Sequence, residues 1–117
     1  MTDNRTAGGD TRDQYVRAVL ARYRATPTIL GHVRRSDRAL AESLHDRGVP
    51  LYLVEDALLV AAARRVLNNA FSSTAPPPIR SLAYILPVLA ELQARPLGPR
   101  DLDLLRARLR HALAPRY

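Results

Sequence analysis

The sequence has no cysteine, no lysine and no tryptophan, and only one phenylalanine and five glycines among its 117 residues. Without cysteine there are no disulfides and no thiolate metal sites, a usage that fits a cytoplasmic location. The longest apolar run, residues 51–63, is interrupted by Glu55 and Asp56 and is too short to span a bilayer. No membrane partner is therefore expected, and the opening "MTDNRTAGGDTRD" lacks the apolar stretch of a signal peptide. Glycine-rich phosphate loops, nucleophile elbows and convergent carboxylates are also missing. The chain therefore reads as non-enzymatic, with no catalytic residue and no cofactor. His32, His45 and His111 fall on separate segments. Glu42 and His45 share a helix face, but such a pair is commonly a solvated contact, so no metal site is expected. Asp101 and Asp103 diverge on a helix, and Asp101 suits a helix start.

What is present favours helices. Leucine, alanine and arginine dominate, and these lead the helix-propensity ranking. The length suits one domain with a single core. All 18 basic residues are arginine, against 11 acids, giving a formal charge of +7. Such an excess points to an anionic partner, and nucleic acid is the commonest.

Periodicity predicts an all-α bundle of about five helices, with residues 1–10 as a disordered arm and 11–114 as one helical domain. Thr11 and Gln14 form a capping-box pattern ahead of Val16, Val19, Leu20 and Tyr23, and Pro27 stops that helix. Ile29, Leu30 and Val33 can tuck inward from the connector. Ser36 is the expected N-cap of a second helix running to about Arg47, with Leu40 and Leu44 inward and Gly48 as its stop. Pro50 suits the first turn of a third helix, about 51–67, which is apolar nearly all round and belongs at the centre. Its narrow outer sector is Tyr52, Glu55, Asp56, Leu59 and Ala63. "NNAFSSTAPPP" reads as a loop stiffened by prolines. Ser81 can cap a fourth helix, in which Pro87 would strip the Ala83 carbonyl of its donor and bend the helix around the third. A fifth helix, about 101–113, carries Leu102, Leu105, Leu109 and Leu113 as its stripe and ends before Pro115.

"LAESLHDRGVPLYLVEDAL" has the outline of a helix-turn-helix. A recognition helix presents polar or basic side chains to base edges, whereas these positions hold Leu51, Tyr52, Leu53, Glu55 and Asp56. The segment is an α-hairpin without a reading face. Nucleic-acid contacts are instead expected at three arginine clusters: Arg34, Arg35 and Arg38; Arg64 and Arg65 with Arg80; and Arg100, Arg106 and Arg110. Contacts of this kind go to phosphates and confer affinity with little sequence readout. The alternative is a protein-interaction adaptor or homo-oligomer using an exposed strip of Tyr52 and Leu59 or a mobile fifth helix.

"RALAESLHDRGVPLYLVEDALLVAAARR" followed by "RSLAYILPVLAEL" resembles the C-terminal domain of DnaD-like replication-initiation proteins. Tyr84 matches the family's tyrosine, Val88 stands for its isoleucine, and Leu92 takes its tryptophan's place. The match covers roughly residues 15 to 92. A "PPIRSLxYxLPVxxEL" pattern is also similar to small proteins of mobile elements. The resemblance implies a helical domain that binds DNA and primosomal partners. It thus suggests an accessory role in DNA replication or mobile-element DNA handling.

Overall fold

A computed structural model describes residues 7–27, 29, 32–68 and 79–114. Among these residues the chain forms five α-helices and one 3-10 turn. They are α1 (Ala7–Ala25), α2 (Arg35–Asp46), α3 (Leu51–Asn68), the turn Leu82–Ile85, α4 (Leu86–Ala94) and α5 (Pro99–Leu113). The fold class is all-α, with α3 at the centre. α3 packs against α1, α4, α5 and the 3-10 turn, while α2 lies on α1 and touches the turn. The sole strand-like feature among the described residues is a parallel bridge between Ile29 and Ile79. None of these helices is long and apolar enough to cross a membrane.

α1 begins at Ala7, four residues ahead of the Thr11 capping pattern. Gly8 and Gly9 thus fall in its first turn, within the N-terminal arm expected from composition, while residues 1–6 lie outside the described residues. Its stripe of Val16, Val19, Leu20 and Tyr23 is buried as the spacing requires. Its polar face is fastened to the end of α2. Arg12 donates two hydrogen bonds to the Asp46 carboxylate (3.0 and 2.8 Å), and the Tyr15 hydroxyl donates to the Val49 carbonyl (2.8 Å). Tyr15 also meets His45 edge to face, with ring centroids 5.3 Å apart.

Gly48 ends α2 as its position suggested. At φ 76° it occupies the left-handed region that a side chain disfavours. The Gly48 N–H then reaches the His45 carbonyl and the Val49 N–H reaches that of Leu44 (2.9 and 3.0 Å), a Schellman motif with Val49 and Leu44 both buried. Pro50 sits one residue before α3 and serves as its cap, its carbonyl accepting from the Leu53 and Val54 N–H groups.

The buried alanines of α3, residues 57 and 61–63, let neighbouring helices approach closely. Ala63 is therefore core and not part of the outer sector. Leu59 is half-buried beside α5. From α4 and the turn before it, Leu82, Ile85, Val88, Leu89 and Leu92 close the core. Leu102 and Leu109 fix α5, with Leu105 half-buried and Leu113 exposed. The segment "NNAFSSTAPPP" falls outside the described residues apart from Asn68, as do Leu30 and Pro115.

Pro87 departs from expectation. The chain enters through a 3-10 turn capped by Ser81, whose hydroxyl accepts from the Ala83 N–H (3.1 Å). Pro87 then falls within the first turn of α4. The Ala83 carbonyl keeps a donor, because the Leu86 N–H bonds to it at 3-10 spacing. A change of helix type at the right residue removes the conflict, so no kink through an α-helix interior is needed.

Candidate nucleic-acid interface

Asp37 organises the α2 end of the molecule. It is the buried charged residue of the core, 1% exposed. One carboxylate oxygen accepts from the Arg34 N–H (2.9 Å), closing the first turn of α2 in the manner of a capping box. The other accepts from the Leu82 N–H (2.9 Å), 45 residues on. A single side chain thus caps α2 and tethers the 3-10 turn to it. Arg34 is the cap residue and Ser36 is an exposed first-turn residue, so the expected Ser36 cap is replaced by this longer-range arrangement.

The tether regroups the arginines. Arg80 lies two residues from Leu82, so its Cα is within about 7 Å of that of Leu82. The Asp37–Leu82 bond therefore keeps the Arg80 backbone near the first turn of α2, and Arg34, Arg35, Arg38 and Arg80 are all exposed. None of these four guanidinium groups forms an ion pair with a described residue. The positive end of the α2 dipole adds to their charge, an arrangement that destabilises a helix unless an anion is nearby. The Asp37 carboxylate at this end is spent on backbone N–H groups. Tyr23 lies beneath: its hydroxyl has a raised pKa from burial and from Asp37, with Arg34 opposing. That hydroxyl is buried and finds no hydrogen-bond partner among the described residues.

The other predicted clusters are divided. Arg64 donates two bonds to Glu91 (3.0 and 2.7 Å), joining α3 to α4, and holds the Glu91 carboxyl below its usual range. Arg65 lies over the Tyr84 ring, 4.9 Å from its centroid, and donates to the Tyr84 hydroxyl (2.7 Å). Arg64 therefore joins α3 to α4 and Arg65 joins α3 to the 3-10 turn, while Arg80 lies two residues before the Leu82 tether to Asp37. On α5, Arg106 pairs with Asp103 (3.0 Å), while Arg100 and Arg110 are exposed and form no ion pair with a described residue. Arg106 and Arg110 line a cleft that also contains Leu59. The expected Tyr52–Leu59 strip is likewise split: Tyr52 is 63% exposed, whereas Leu59 is half-covered.

From the sequence, Tyr23 reads only as part of the α1 apolar stripe, and Asp37 carries no functional signal of its own. It stands as the acid of "RRSDR", and its partner Leu82 lies too far along the chain for spacing to reveal. No group of three or more metal-ligating side chains occurs among the described residues. Fold and site define the chain as a small all-α bundle carrying an arginine cluster at one helix end. No family model, curated protein or solved structure matches it.

Proposed function

We propose that this protein is a non-enzymatic nucleic-acid-binding accessory protein that grips phosphates with Arg34, Arg35, Arg38 and Arg80. The observation that carries this reading is that exposed Arg34, Arg35 and Arg38 at the positive end of α2, and Arg80 two residues from the tethered Leu82, form no ion pair with a described residue, while both Asp37 oxygens accept backbone N–H groups. Their mutual repulsion is relieved when phosphates enter, and guanidinium forks match phosphate oxygens in pairs. The formal charge of +7 draws a polyanion to the surface and assists the encounter. Arg100 and Arg110 are further exposed cations that extend the attraction without being held in the cluster.

Backbone contact of this kind suits an accessory role in DNA replication or mobile-element DNA handling, in the cytoplasm, as the DnaD-like pattern around Tyr84 suggests. It reads charge and shape far more than base sequence. Fluorescence anisotropy with labelled single- and double-stranded oligonucleotides tests the proposal. Binding should be present at low salt, and replacing Arg35 and Arg38 by alanine should weaken it. Undiminished binding by that double variant would move the interface elsewhere.

A further inference from the structure

α1 and α5 both rest on α3, and a cleft of about 190 Å³ separates the C-terminal ends of the two outer helices. Its floor is apolar, built from Leu59 and Ala62 of α3 with Leu109 and Leu113 of α5. Among the described residues its charged lining consists of Arg22, Arg106 and Arg110, with half-buried Asp56 of α3 within electrostatic reach of Arg106. Asp103 engages Arg106, but its side chain is 77% exposed, and such surface pairs exchange readily.

We infer that this cleft docks a short acidic, leucine-bearing helix of a partner protein. An amphipathic helix lays leucines at i, i+3, i+4 and i+7 into such a floor. Flanking glutamates would meet the arginine rim in paired hydrogen bonds. Charge complementarity selects this occupant. A second copy of the chain, at +7, would bring one basic surface against another. Nucleic acid fits the floor poorly, because Leu59, Ala62, Leu109 and Leu113 offer neither an aromatic ring for stacking nor a hydrogen-bond donor from their side chains. The cleft shares no lining residue with the arginines at the start of α2.

The test uses a fluorescein-labelled synthetic helix with leucines at that spacing and glutamates flanking them. A control peptide carries lysine in place of glutamate. The 117-residue chain should bind the acidic peptide at micromolar concentration and ignore the lysine version. Arg22→Glu and Arg110→Glu, on opposite walls, should each weaken binding by about tenfold, and Leu113→Glu should do the same. Arg35→Ala with Arg38→Ala should leave it unchanged. Equal binding of both peptides, or of neither, overturns the inference. So does a concentration-dependent dimer that Leu113→Glu dissolves, which would make a second copy the occupant. Displacement of the peptide by an oligonucleotide whose own binding Leu113→Glu weakens would assign the cleft to nucleic acid. Tighter peptide binding by a chain ended at Ala114, by about tenfold or more, would mean that the chain's own end fills the cleft.

Discussion

Asp37→Ala should be the most destabilising single polar substitution in this protein. The bond to the Leu82 N–H is buried and charge-assisted (2.9 Å), a class of interaction whose loss costs about 1.5–3 kcal/mol. The bond to the Arg34 N–H (2.9 Å) closes the first turn of α2 and contributes about 1 kcal/mol more. Removing the carboxylate also leaves Arg34, Arg35 and Arg38 facing the positive helix end without compensation. The expected loss is about 3–4 kcal/mol, or a melting-temperature drop on the order of 10–20 °C for a domain of this size. Urea unfolding followed by far-ultraviolet circular dichroism measures it. Asp37→Asn should lose roughly half as much, because the amide oxygen can still accept one of the two bonds. Asp13→Ala, at an exposed site on α1, should change stability by less than about 0.5 kcal/mol. A loss below about 1 kcal/mol for Asp37→Ala would refute the tether.

Tyr23→Phe should be neutral or slightly stabilising by denaturant melt, since the buried Tyr23 hydroxyl finds no partner among the described residues. A loss above about 1.5 kcal/mol would reveal a partner, such as a buried water. Pro87→Ala should change stability by less than about 1 kcal/mol, because proline is tolerated in a first turn, and a gain near 3 kcal/mol would indicate an interior position after all. The Asp46 carboxyl, hydrogen-bonded by Arg12 and His45, is lowered from 3.8 to about 2. A lowered folded-state pKa stabilises above the unfolded value and loses that contribution as pH falls through about 2. In Arg12→Ala an NMR titration should place Asp46 nearer 3.8, and the pH dependence of melting below about pH 4 should flatten.

Much of the fold was legible because the apolar spacing is regular. The stripe of α1, the all-round apolar α3 and the Gly48 stop each follow from local chemistry, and each stands where spacing put it. Errors arose where the decisive partner is distant or the helix type changes. Ser36 was a reasonable cap from its residue type, but Asp37 outcompetes it by serving Arg34 and Leu82 at once. Pro87 looked like a kink because spacing alone does not distinguish a 3-10 turn from an α-helical one. Within the candidate site, the group of Arg34, Arg35 and Arg38 was visible as a local run. The link from Asp37 to Leu82, two residues beyond Arg80, is visible only in the tertiary structure. Arg22 and Leu59, from helices far apart in sequence, likewise meet only in the folded cleft.

The salt dependence of oligonucleotide affinity tests the central claim most directly, when read beside the melting temperature. Each duplex phosphate neutralised should contribute a log–log slope of about −0.9. Replacing Arg35 and Arg38 by alanine should flatten the slope by up to about two units. The same change should leave the melt unchanged or raise it, since two cations leave a positive helix end. Lost binding with retained or increased stability is the result expected of arginines held there for a phosphate. An unchanged slope, or no binding of any oligonucleotide at low salt, would contradict the account.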